Sequence, residues 1–317
     1  MNQLTQLLAD LVAIDSVNPD LVPGAAGEAQ IAQFVADWLA KAGIAVELDE
    51  AAPGRPNVVG IVRGTGGGKS IMLNAHMDTV GVAGMIDPFT PRVEGDRLYG
   101  RGAFDMKGSL AACMVVAERA KGLKLTGDVL ITAVVDEEYA SIGTASIAKR
   151  WTADAAIVTE PTGLNLCIAH RGFVWLDVET AGIAAHGSRP NLGVDAIAKM
   201  GKVLVELEAL DQQLRANPTH PLLHSGSLHA SLISGGQELS SYPAHCQLGV
   251  ERRTIPGETP EIVEEQIQAI LDRCAANDAQ FKGRVRTNLV RDPFEISKDA
   301  AIVQLLQGKI RSEIGHE

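Results

Sequence analysis

The chain has 317 residues, 46% of them apolar and 4% aromatic, enough to bury a core without crosslinks, which excludes disordered, collagen-like and small disulfide-scaffold proteins. Its 28 Lys and Arg against 39 Asp and Glu give a net charge of −11, which repels polyanions and argues against partners such as nucleic acid or an anionic membrane. Four dispersed cysteines, Cys113, Cys167, Cys246 and Cys274, show no paired spacing, so neither a thiolate zinc site nor a secreted disulfide framework is expected, and a cytoplasmic location fits.

In chain order, Leu4, Leu7, Leu8, Leu11 and Val12 recur at helical spacing, with Asp10 and Asp15 where an export signal would be basic. An amphipathic helix is predicted there. No later stretch reaches the ~18 apolar residues of a membrane span. A second helix is predicted from Glu28 to Ala42, then strands from Ala45 to Leu48 and Asn57 to Val62, closed by a turn from Gly64 to Gly68. Apolar runs at Ile71 to Leu73, Val129 to Val135 and Ala155 to Val158 are separated by helix-length segments at Gly108 to Lys121 and Ser141 to Arg150. This is the pattern of buried strands in a mixed or parallel sheet flanked by helices, an α/β fold.

From Val174 the texture changes. Strands are predicted at Val174 to Glu179, Leu228 to Ile233 and Ala244 to Glu251, with helices from Val194 to Leu210 and Pro260 to Ala275. They read as an inserted α+β domain over residues 174–289. Residues 1–173 and 290–317 then form the first domain, with the chain returning near Leu289 to Phe294 and a last helix from Asp299 to Ile314.

Arg63 to Ser70, RGTGGGKS, nearly matches the phosphate-loop pattern GxxxxGK(S/T). The required first glycine is Arg63, however, and strand-like IMLNAH follows where a helix N-terminus would hold phosphate. A glycine-rich turn is the better reading.

The chemistry gathers elsewhere. His76 and Asp78 follow the run at Ile71 to Leu73, with the carboxylate placed to orient the imidazole. Asp105 sits in a glycine-rich run before a predicted helix, Asp136, Glu137 and Glu138 end the strongest apolar run, and Glu160 follows the next. Taken singly these are surface pairs, an N-cap or solvated strand ends. Together they are expected to converge from the ends of separate buried strands on one sheet edge, where open α/β folds build sites. Mixed imidazole and carboxylate ligands suit zinc, with cobalt or manganese as alternatives.

His76-x-Asp78, Gly100-Arg101-Gly102-Ala103-x-Asp105-Met106-Lys107-Gly108, Asp136-Glu137-Glu138 and Glu160-Pro161-Thr162 resemble, in order and spacing, the motifs of the M20 metallopeptidase family. Ala185-His186-Gly187-Ser188-Arg189-Pro190 resembles the start of that family's lid domain, and Arg253-Thr254-Ile255-Pro256-Gly257 its later Arg-x-x-Pro-Gly element. The resemblance implies a zinc-peptidase-like catalytic domain and an inserted lid and dimerisation domain. It implies that His76, Asp105 and Glu160 hold one zinc, that Asp105 bridges to a second also held by Glu138, and that Glu137 is the catalytic base. His186 would serve the partner subunit of a homodimer as an oxyanion donor. Arg253, or its neighbour Arg252, would clamp a substrate carboxylate. The implied reaction is hydrolysis of the amide of an N-acyl amino acid, with a dipeptidase or carboxypeptidase, or a catalytically silent truncated homologue, as alternatives.

Two departures stand out. The family's further histidine, after a glycine-rich segment near the C-terminus, has no counterpart before Glu317 apart from His316, which lacks that context. A weak second metal site and an exposed strand edge or apolar patch are therefore expected. At Ser240 the family commonly has Asn, which bears on the contact with the substrate carboxylate.

Overall fold

The computed structural model describes residues 2–315; His316 lies outside them. The chain forms two compact units, residues 1–164 and 165–317.

In the first unit the elements are α1 (Gln3–Val12), α2 (Ala29–Lys41), β1 (Ala45–Ala52), β2 (Arg55–Val62), β3 (Ile71–His76), β4 (Arg92–Glu94), β5 (Arg97–Tyr99), α3 (Lys107–Lys121), β6 (Val129–Val134), α4 (Ile142–Arg150) and β7 (Ala155–Val158). Five strands form one sheet in the order β1-β2-β6-β3-β7. β1, β2 and β6 run antiparallel, while β3 lies parallel to both β6 and β7, so the sheet is mixed. β6 is buried at every position, as a central strand covered on both faces should be. Its alternation sends Val129, Ile131 and Ala133 into a core with Leu11, Ile31, Leu39, Leu110 and Met114 of the three helices α1, α2 and α3. Leu130 and Val134 face the other way, packing with Ile147 of α4. Burying each such aliphatic side chain contributes roughly 1.5–3 kcal/mol.

Two local differences from the sequence reading have physical causes. The β4–β5 hairpin was not predicted because its three-residue strands are largely exposed and carry no apolar alternation. The run at Ala155 to Val158 was expected to be buried, yet β7 is an edge strand, half-buried at alternate positions, and Val158 is 58% exposed.

In the second unit the elements are β8 (Ala169–His170), β9 (Gly172–Ala181), α5 (Ala196–Ala216), β10 (Ser227–Gly235), β11 (His245–Thr254), α6 (Pro260–Ala276), β12 (Gly283–Arg291), β13 (Phe294–Glu295) and α7 (Ala301–Ile314). An antiparallel sheet in the order β10-β11-β9-β12 carries Val174, Leu176 and Val178 inward, against Met200, Val203 and Leu207 of α5 and Val263, Ile267 and Ile270 of α6. Both helices start on side-chain caps: Asp195 accepts from Ala198 N at 2.9 Å, and Thr259 caps α6 ahead of Pro260. The other face of the sheet is open and charged. Glu179 there meets both Arg284 and His245. β10 is an edge strand whose Leu232 and Ile233 are 76% and 56% exposed. Leu289 to Arg291, where the sequence suggested a return of the chain, belong to β12 and pair with β9.

Candidate metal centre

The parallel strands β3, β6 and β7 end on the same side of their sheet, and their ends carry His76, the Asp136 to Glu138 turn and, two residues beyond β7, Glu160. Asp105 arrives differently. It precedes α3 in a turn that follows the exposed hairpin, not at the end of a buried strand as the sequence suggested. The approach needs glycine at position 102: with φ +79°, a Cβ there would meet Thr79 Cγ2 at 2.8 Å and Lys107 Cδ at 3.0 Å.

His76 is 1% exposed. Its Nε2 lies 3.1 Å from Asp105 Oδ1, and 3.8 Å from both Glu137 Oε2 and Glu160 Oε1. Its Nδ1 is 3.0 Å from the backbone carbonyl of Asp78, while the nearer Asp78 carboxylate oxygen stands off at 3.6 Å. Asp78 thus meets the ring through its backbone, and its carboxylate does something else. Oδ1 accepts from Glu137 N at 3.0 Å, and Oδ2 from Glu138 N at 3.1 Å and Asn18 Nδ2 at 2.8 Å.

The electrostatics follow from crowding. Burial works against protonation of His76, but the Asp105 hydrogen bond and the charges of Asp78, Glu137 and Glu160 outweigh it and lift the imidazole to about 9. Burial, reinforced by neighbouring carboxylates and opposed by His76, pushes Glu137 and Glu138 each to about 7 and Glu160 upward. The hydrogen bond with His76 holds Asp105 below its ordinary value. A group of carboxylates that suppress one another's ionisation is a site a cation relieves. Ligand atoms of His76, Glu137 and Glu160 lie within 4.8 Å of one another, as do those of His76, Asp105 and Glu138. An imidazole with several carboxylates fits the donor set of a divalent metal.

Some residues around the centre were given no role by the sequence reading. Asn18, Glu28 and Asp136 are fully buried, and Arg55 makes ion pairs to Glu28 and Asp136. Lys107, also fully buried, donates to the Ile14 carbonyl at 2.7 Å, and burial lowers it to about 8. Lys107 and Asp136 lay inside sequence patterns; for Asn18, Glu28 and Arg55 the sole signal was polarity beside apolar elements.

The second unit holds the remaining candidates. His186 is exposed, with Nδ1 2.8 Å from Ser188 Oγ, and its segment pairs with that of Ser240: Gly187 N donates to Ser240 O at 2.7 Å. Arg253 pairs with Glu251 and sits 5.2 Å over the Phe173 ring. Arg252, the alternative clamp, is fully buried against Glu258 and the Arg253 carbonyl, which removes it from contact with a ligand. The Gly64 to Gly68 segment leads into β3, as the reading of a glycine-rich turn expects; Ser70 donates to Asp154 through both its backbone N and its hydroxyl.

A mixed sheet with an imidazole and carboxylates gathered beyond the ends of its parallel strands defines a metal-dependent hydrolase. The chain belongs to peptidase family M20/M25/M40, whose profile matches residues 72–317, and with it to the enzymes that hydrolyse amide bonds. It is 31% identical over 292 residues to acetylornithine deacetylase of Edwardsiella ictaluri, covering 86% of this chain and 73% of that one. It is 28% identical over 298 residues to N-formyl-4-amino-5-aminomethyl-2-methylpyrimidine deformylase of Bacillus subtilis, covering 87% and 68%. In fold it resembles a tripeptidase of Staphylococcus aureus, with a TM-score of 0.80 at 22% identity over 99% of this chain and 82% of that one. Among the described residues no helix is long and apolar enough to cross a membrane.

Proposed function

We propose that this enzyme removes the acyl group from small N-acyl amino acids, as a deacetylase or desuccinylase, with zinc as its metal and cobalt or manganese as substitutes. The observation that carries the reading is the gathering of Asp105, Glu137, Glu138 and Glu160 around the buried His76. His76, Asp105 and Glu160 would hold one ion, with Asp105 and Glu138 reaching a second. With only Asp105 and Glu138 as protein ligands, fewer than the roughly three of a usual catalytic zinc, the second ion would be held more weakly. When bound, the metal supplies Lewis acidity, polarising an amide carbonyl and acidifying water.

Glu137 is the base. Its carboxylate is half-exposed toward the site while its backbone is pinned by Asp78, so it takes the proton of the attacking water and returns it to the leaving nitrogen. Asp78 orients His76 and the turn. In the second unit, Arg253 and Ser240 would bind the substrate carboxylate. His186 would donate to the oxyanion in the active site of a second copy. The exposed apolar edge of β10 supports pairing through that unit. A cytoplasmic setting accords with the dispersed, unpaired cysteines.

The test is a panel of N-acetyl, N-succinyl and N-formyl amino acids with dipeptides alongside, assayed with and without zinc. Metal-dependent release of the acyl group is expected. Faster turnover of dipeptides would move the assignment to a peptidase, and no turnover of any amide would overturn it.

A further inference from the structure

The Glu137 to Glu138 turn owes its shape to residues far from it in sequence. Asp136 is fully buried with a left-handed backbone, φ 63°, a conformation that non-glycine residues hold only when their surroundings impose it. Its N–H donates to Glu28 Oε1 at 3.2 Å. Its Oδ1 accepts from Asn18 Nδ2 at 3.0 Å and from Arg55 Nη2 at 3.1 Å. Its Oδ2 accepts from Ala140 N at 3.2 Å and Ile142 N at 3.4 Å. The same Asn18 amide nitrogen donates to Asp78 Oδ2, and Asp78 in turn takes the N–H groups of Glu137 and Glu138.

We propose that Asn18, Glu28 and Arg55 are positioning residues for the two glutamates, an inference that rests on the hydrolase reading above. Asn18 spends both protons of one amide group on two carboxylates, Asp78 and Asp136, that would otherwise repel each other in a buried space. The Arg55 fork binds Glu28, Asp136 and Asp20 together, so it neutralises the buried acids behind the turn. Every backbone N–H from Asp136 to Glu138 consequently ends on the carboxylate of Glu28 or of Asp78. The carboxylates of Glu137 and Glu138 are then delivered to the His76 cluster in one geometry, where displacements near 1 Å matter. None of the three touches substrate or reacting atoms; each acts through Asp136 or Asp78.

The experiment compares Asn18→Asp, which keeps the shape and removes the donor, with Asn18→Ser and with Arg55→Lys, which keeps the charge and loses the fork. Amide hydrogen exchange over residues 136–142, zinc affinity by chelator competition, and kcat and KM are read on each folded variant. Exchange in that segment is expected to rise at least about tenfold while β6 keeps its protection. Zinc affinity and kcat are expected to fall roughly 10–100-fold, with KM within about twofold and Asn18→Ser milder than Asn18→Asp. Folded variants with wild-type exchange at 136–142 and wild-type zinc affinity would overturn the inference. If neither Asn18 variant folds, Arg55→Lys decides on the same readouts. A wild-type chain that hydrolyses no amide, combined with the expected exchange and zinc changes, would remove the deacylase reading and leave the positioning role standing.

Discussion

Behind the Glu137 turn the first unit buries Glu28, Asp136 and Asp78 around an Arg55 side chain only 11% exposed, whereas on the open face of the second unit's sheet Arg284 and Arg286 pair with Glu179 and Asp177 while remaining 76% and 73% exposed. The contrast separates two uses of charge. Pairs in contact with water gain little, about 0–1 kcal/mol, because solvent competes for both partners. Buried pairs are expensive to assemble and costly to break, and a fold keeps them where geometry must be fixed. In this chain that place adjoins the candidate metal centre. The second unit has its own exception in Arg252, fully buried against Glu258, which ties the end of β11 to the turn before α6.

The largest expected effect sharpens the comparison at its functional end. Glu137→Gln should lower kcat by about 10²–10⁴-fold with thermal stability retained, measured by steady-state hydrolysis and a melting curve. Undiminished turnover would detach the carboxylate cluster from the chemistry. Next, Arg55→Met should cost about 3–5 kcal/mol in urea unfolding because it strands buried Glu28 and Asp136. A loss below about 1 kcal/mol would erase the distinction drawn here.

Removing metal tests the same charges through pH. Without a cation, Glu137 and Glu138 titrate near 7 where 4.5 is ordinary, and His76 near 9 where 6.5 is ordinary. The folded chain therefore binds more protons than the unfolded chain across this range, and its stability falls as pH rises. Lys107, lowered to about 8, opposes the trend only above that pH. Melting temperature after chelator treatment should thus decline between about pH 5 and 8, and zinc should restore more of it at the upper end. A flat profile would show that the crowding is relieved some other way. At the second unit, the proposed pairing through the β10 edge predicts that Ile233→Asp shifts sedimentation from dimer toward monomer. The smallest effect belongs to the surface pair: Arg284→Met should change unfolding free energy by no more than about 0.5 kcal/mol.

The sequence made parts of this picture legible for local reasons. Alternation in Val174, Leu176 and Val178 and the apolar run of β6, interrupted only by Thr132, announced the strands. His76, Asp105, Glu137, Glu138 and Glu160 stood out because each adjoins an apolar run or a glycine turn in a recognisable order. β12 was illegible: its Arg284 and Arg286 hide the strand pattern and face the open side of the sheet. The carboxylate of Asp78, read as the partner of the His76 ring, stands 3.6 Å from it and also accepts from the backbone of the neighbouring turn, a role no spacing reveals. Asn18 and Arg55 escaped because their partners lie 118 and 81 residues away in Asp136, beyond any short motif.

Those separations also order events in time. At a synthesis rate of about 5–20 residues per second, the 81 residues between Arg55 and Asp136 represent roughly 4–16 s during which Arg55 exists without this buried acceptor. Closing so long a loop costs entropy before any contact returns it. The Glu137 turn therefore cannot gain its Arg55 and Asn18 contacts before Asp136 has been synthesised, and translation itself sets when the N-terminal segment meets the carboxylates it holds.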